Sequence, residues 1–179
     1  MRSFFLILFC AWSFVLSAAS LDVYDTIGGH FELNSTLGRK IGPQNFRGKV
    51  LLVFFGYTSC PDICPTTLSL ISKAYSELKI PVKIIMVTVD PDRDSLEILK
   101  NYLGSFNEDF IGYRGEFDET VKLAQQLNVA FGKIPGSQPG TYTMDHNASL
   151  ALVDSGGNYV GFIKSPQSSK NIQTILNSF

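Results

Sequence analysis

Clusters of like charge are missing from this chain of 179 residues, and that absence narrows its partners first. Fifteen basic and 16 acidic residues leave a formal net charge of −1, with no long run of either sign. A nucleic-acid footprint needs a clustered basic face, so nucleic acid is excluded as a partner. Internal repeats and low-complexity tracts are absent too. With 45% hydrophobic residues, the length fits one domain with a substantial core. Cysteine and histidine are scarce, at three and two residues, so each can be weighed singly.

Charge is also missing from the start of the chain. Arg2 precedes an apolar run over residues 4–16, and small residues follow, with Ser17 and Ala19 at the −3 and −1 positions of a cleavage site. The charge-free stretch 3–20 has 18 residues, near the lower limit of about 17–25 for a spanning helix. Residues 1–19 therefore read as a signal peptide or a membrane anchor, 20–26 as a short lead-in, and 27–179 as one exported domain. Its expected place is the periplasm or the outer face of the inner membrane. Cys10 sits inside the apolar run and lacks the small preceding residue of a lipid-modified cysteine, so it reads as filler. The exported domain then holds only Cys60 and Cys64. An isolated pair in an oxidising compartment tends to oxidise unless it is kept reduced or occupied.

The hydrophobic pattern predicts an α/β domain with a central mixed sheet flanked by helices and an N-terminal hairpin over 30–33 and 39–41. Residues 49–55, KVLLVFF, show no alternation and read as a strand buried on both faces. A helix follows from Pro61 or Pro65 to Leu78, then a second buried strand over 82–90. Asp94 or Ser95 caps a helix running to Leu103. A short strand at 110–113 and a helix over 117–127 come next. Glycines and prolines in 132–143, GKIPGSQPGTYT, predict a loop. A hairpin spans 149–163, and a helix ends the chain from Ser168. In such sheets reactive groups collect beyond the carboxyl ends of the central strands, where Cys60 falls.

GYTSCPDICPTT, residues 56–67, admits three readings. As a structural staple, its disulfide would close a loop too short to remove much unfolded-state entropy. As a redox dithiol, it gains from a helix N-terminus, which favours thiolate. The spacing of three residues departs from the usual two, however, and YTMDHNASLALVD (142–154) has no proline before its hairpin. As a metal site it finds a third donor in His146, placed by the expected fold opposite the pair. Two thiolates and an imidazole suit copper(I) or an open zinc site. His30 has no such partner and reads as structural. A peroxidase usually needs Pro-x-x-x-Thr before its cysteine, and no proline lies between Lys49 and Cys60. Asp62 can favour the helix N-terminus, while Asp90, Asp94 and Asp145 read as turn, cap or ligand-supporting groups. None of these acids reads as a ligand.

GYTSCPDICPTTL, VTVDPDRDS and YTMDHNASLALVDSGG resemble, in order and spacing, the three signatures of the Sco/SenC family, from about Ile27 to the C-terminus. The resemblance implies a thioredoxin-like fold and a copper metallochaperone for assembly of the binuclear copper centre of cytochrome c oxidase. It implies copper ligation by Cys60, Cys64 and His146, and a partner in the copper-bearing oxidase subunit, with other copper carriers or thiol reductants beside it. Thiol–disulfide reduction by the Cys60–Cys64 pair is the alternative activity. Asn147, Ser95 and His30 depart from the usual family residues, and none of the three replaces an implied ligand.

Overall fold

The computed structural model describes residues 32–164 and 168–179. Nine strands and four helices are found among them: β1 (Leu33–Ser35), β2 (Lys40–Ile41), β3 (Val50–Gly56), α1 (Ile63–Tyr75), β4 (Val82–Thr88), α2 (Leu96–Gly104), β5 (Ile111–Arg114), α3 (Phe117–Gln126), β6 (Phe131–Pro135), β7 (Tyr142–His146), β8 (Leu150–Val153), β9 (Tyr159–Ile163) and α4 (Ser169–Leu176). Seven strands form one mixed sheet in the order β2-β1-β5-β4-β3-β8-β9. β3, β4 and β5 run parallel, while β8 lies antiparallel to β3 on its other side. The expected α/β architecture is present, and so is an N-terminal hairpin, with its first strand at Leu33–Ser35 where 30–33 was expected. His30 and the segment 1–19 lie outside the described residues.

The unbroken apolar run of β3 explains its central place. Every residue from Val50 to Gly56 is buried. Burying one Val, Leu or Phe fully is worth about 1.5–3 kcal/mol, so a seven-residue run with no polar face selects the middle of the sheet. β4 repeats the pattern beside it, in a register that pairs Gly56 with Thr88. Both strands therefore end on one rim, and the chain segments that follow them, 57–62 and 89–95, emerge side by side. α1 packs against α4, and α2 packs over β5.

The helix boundaries differ from the sequence expectation in instructive ways. α1 begins at Ile63, with Asp62 in the capping position but without a side-chain hydrogen bond to the helix backbone. Pro65 is the third helical residue, where an intrahelical N–H is not required. The helix ends at Tyr75, short of Leu78, which packs on the core from the turn beyond. Ser95 caps α2 by accepting from the Ile98 N–H (3.2 Å). Asp94, the other capping option, is occupied elsewhere.

The largest correction concerns 132–143, expected as a loop. It contributes most of the β6–β7 hairpin, a separate two-stranded sheet in which Phe131 pairs with His146 and Pro135 with Tyr142. β6 is exposed or half-buried throughout, so it carries no core pattern that the sequence could announce. Its glycines and prolines belong to the tip and the ends. His146 is consequently the last residue of a strand and not part of a loop.

Candidate metal centre

Three donor side chains reach one place from three different elements. Cys60 ends the turn after β3, where its N–H donates to the Tyr57 carbonyl (3.3 Å). Cys64 lies in the first turn of α1, and His146 closes β7. Their ligand atoms all lie within 4.8 Å of one another. Metal–sulfur and metal–nitrogen bonds of about 2.0–2.3 Å put donors on one ion roughly 3.3–4.6 Å apart, so a sub-ångström adjustment brings all three onto a single ion. Both cysteines are free thiols, with Cys64 fully buried and Cys60 9% exposed. The disulfide-staple reading is not the state seen here. Cys60 and His146 border an open cleft of about 250 Å³, with Met144 on its wall and Asp62 and Asp145 beside it, while Cys64 lies buried behind them.

The hydrogen bonds fix the tautomer of the histidine. The Asn147 carbonyl can only accept, so His146 Nδ1 carries the proton and donates to it (3.2 Å). That leaves the lone pair of Nε2 facing Cys64 Sγ at 3.4 Å, and the Cys64 thiol donates to it. Burial pushes the Cys64 thiol well above its ordinary value, and the adjacent Cys60 adds to the effect. Burial also lowers the His146 imidazole below its ordinary 6.5, against the opposing pull of Asn147 and Asp145. A protonated thiol beside a neutral imidazole is thus the resting arrangement. Cys64 and His146 could hold a metal ion there only if the thiol gave up this proton, so any metal binding would release a proton.

Neighbouring residues hold this geometry. The rings of Tyr57 and Phe54 meet His146 edge-on, at 5.9 and 6.1 Å between centroids. A Cβ on Gly56 would lie 3.0 Å from Cys64 Sγ and 2.8 Å from the Phe54 ring. Glycine is therefore what lets the sulfur sit over the end of β3. Asp94 is fully buried and accepts from the Thr58 N–H (3.1 Å), the Thr58 hydroxyl (2.5 Å) and the Thr88 hydroxyl (2.6 Å). It ties the cysteine turn to the end of β4. Asp90 pairs with Arg93 within the Asp-Pro-Asp-Arg-Asp segment. Arg114 donates to the carbonyls of Pro91 (3.0 Å) and Asp94 (3.1 Å), pinning the same segment from β5.

Sequence reasoning named Cys60, Cys64 and His146, and the fold brings them together. It left Gly56, Tyr57 and the contacts of Arg93 with Tyr57 and Tyr142 unassigned. One signal was available: Tyr142, Met144 and His146 alternate with exposed Thr143 and Asp145, which is the period of a strand with one inward face.

Comparison with known proteins agrees with this arrangement. The SCO1/SenC family pattern matches residues 20–179. A SCO2-like protein of Rickettsia felis is 32% identical over 166 residues, covering 89% of this chain and 81% of the relative. Mitochondrial SCO1 of Saccharomyces cerevisiae is 34% identical over 140 residues, covering 75% of this chain and 48% of that protein. Among solved structures, copper-bound ScoI of Bradyrhizobium japonicum superposes with a TM-score of 0.76 at 35% identity, over 85% of this chain and 98% of that one. Copper-bound yeast Sco1 gives 0.75 at 31% identity, over 84% and 87%. The fold is thioredoxin-like, and the chain belongs to the SCO1/SenC family.

Proposed function

We propose that this protein is an exported copper chaperone that binds its cargo through Cys60, Cys64 and His146. One observation carries the reading: two free thiols and an imidazole with its Nε2 lone pair unprotonated converge within 4.8 Å beside an open cleft. Soft sulfur donors with one imidazole favour copper(I), and three ligands leave room for an incoming partner donor. Similarity to proteins solved with copper bound supports the same cargo. The copper-bearing subunit of cytochrome c oxidase is the proposed recipient, reached by ligand exchange at the cleft. The domain spans 27–179 and works in the periplasm or at the outer face of the inner membrane, after signal cleavage or on an N-terminal anchor.

Thiol–disulfide exchange is the second reading, favoured by the closeness of the two free thiols. Closing that disulfide would release two electrons and two protons to an acceptor and remove both sulfur ligands. Burial keeps Cys64 protonated, which makes the less buried Cys60 the attacking sulfur in any such exchange. Titration of the reduced protein with copper(I) and copper(II), read by competition with a chelator, separates the readings. Cys60→Ser, Cys64→Ser and His146→Ala should each lower copper affinity, and His146→Ala should leave thiol reactivity in place. Undiminished copper binding by His146→Ala would rule out the proposed ligand set.

A further inference from the structure

His146 reaches the cysteines on a hairpin that shares no ladder with the main sheet; among the described residues β6 and β7 pair only with each other. Side-chain contacts must seat this arm, and several of them converge on Arg93 in the turn after β4. Arg93 donates through Nε to Asp90 and through Nη1 to the Tyr142 carbonyl (3.4 Å). Its Cζ stands 4.1 Å from the Tyr142 ring centroid and 5.6 Å from that of Tyr57. The Tyr142 hydroxyl donates to the second oxygen of Asp90 (2.8 Å), which closes a ring of contacts between rim and arm. Tyr57 continues the connection on the other side. Its hydroxyl bonds Thr143 Oγ1 (3.0 Å), and its ring lies against His146. Arg93 Nη2 is buried without a hydrogen-bond partner, so stacking on the tyrosines accounts for that part of the guanidinium.

We propose that Arg93 is the positioning residue of the metal centre. It seats the β6–β7 arm against the cysteine turn and thereby sets the separation of His146 from Cys64, while touching no donor atom itself. A guanidinium suits the task because its planar fork bonds Asp90 and a carbonyl while its face stacks on a ring; an ammonium cannot do all three. Asp90 adds a second reason. Its side chain is 1% exposed, so loss of Arg93 strands a buried charge directly beneath Tyr142 and drives the arm outward.

This inference rests on His146 being a copper ligand, and the test tells the two apart. Copper(I) affinity is measured by chelator competition on the reduced full chain for wild type, Arg93→Met, His146→Ala and the double variant. Residues in contact couple strongly, so Arg93→Met should weaken binding roughly tenfold when His146 is present and less than about twofold when it is absent. Equal losses in both backgrounds, or no loss in either, overturn the proposal, because a merely structural role would not depend on His146. If His146→Ala binds as tightly as wild type, the ligand assignment fails and the proposed effect on copper fails with it. A metal-free readout then judges the seating alone. Arg93→Met should move the His146 ring-proton resonances, set edge-on to Tyr57 and Phe54, toward those of a solvated imidazole. Unmoved resonances overturn the seating. Should Arg93→Met not fold, Arg93→Lys keeps a positive charge beside Asp90 and should show the same His146-dependent loss, and a wild-type result with it also overturns the proposal.

Discussion

Replacing Asp94 by alanine is the sharpest test of how the rim is held. Its carboxylate accepts three hydrogen bonds, two from Thr58 and one from Thr88, and the side chain is fully buried. Hydrogen bonds to a charged group contribute about 1.5–3 kcal/mol each, and a buried donor left without its acceptor bears most of that loss. Thr88 is fully buried, so its hydroxyl should cost about 2 kcal/mol; Thr58 is half-buried and recovers water, so its two donors should cost about 1 kcal/mol each. The sum, about 4 kcal/mol, is a large part of a typical stability of about 5–15 kcal/mol. Asparagine keeps the shape and one oxygen, so Asp94→Asn should lose about half as much. Urea unfolding of the reduced, metal-free proteins should show midpoints falling in that order with unchanged slope. For a chain this long, the alanine variant should melt roughly 8–16 °C lower. A loss below about 1 kcal/mol for alanine, or equal losses for both variants, would refute the network account.

Two further outcomes follow from the site. Gly56→Ala inserts a methyl 3.0 Å from Cys64 Sγ, so it should displace the sulfur and weaken copper(I) binding about tenfold or more while the fold survives; wild-type affinity would show that Gly56 is not a spacing device. Stability of the metal-free protein should fall off on both sides of neutral pH. The folded state holds the Cys64 proton more tightly than the ordinary value of 9.0 implies, so that contribution is present below about pH 9 and is lost as pH rises above it. The imidazole of His146 is lowered, so its contribution is present above about pH 6.5 and is lost as pH falls toward the folded value. Urea midpoints measured from pH 5 to 10 would check both limbs. His146→Ala should abolish the acid limb alone, and an acid limb that persists in it would contradict the assignment.

Much of the fold was legible because its signals are local. The runs of β3 and β4 have no polar face and can only be central strands. Ser95 and Ser168 are residues whose hydroxyls accept from a first-turn N–H, and each caps its helix. Asp154 could be read as a turn residue because its carboxylate accepts from the N–H groups of Gly156 and Asn158 (both 2.9 Å) within its own loop. Only half of the β6–β7 hairpin was legible: β7 carries the alternation of Tyr142, Met144 and His146, while β6 carries no pattern. β6 has no buried residue, pairs only with β7 among the described residues, and runs into the same glycines and prolines that mark a loop.

Sequence alone determined the donors. Two cysteines with three residues between them after a buried strand, and one histidine before the last hairpin, are chemical identities that no packing can alter. Tertiary structure decided everything that depends on distance. It placed Nε2 at 3.4 Å from the Cys64 sulfur, aimed the Nδ1–H at the Asn147 carbonyl, and buried the thiol so that it stays protonated. It also drew Arg93, Tyr142 and Tyr57 into one stack that joins the histidine arm to the cysteine turn, 36 residues or more apart in sequence at each join. Such contacts arise only when the β4 rim and an otherwise unanchored hairpin meet, and no local period along the chain encodes that meeting.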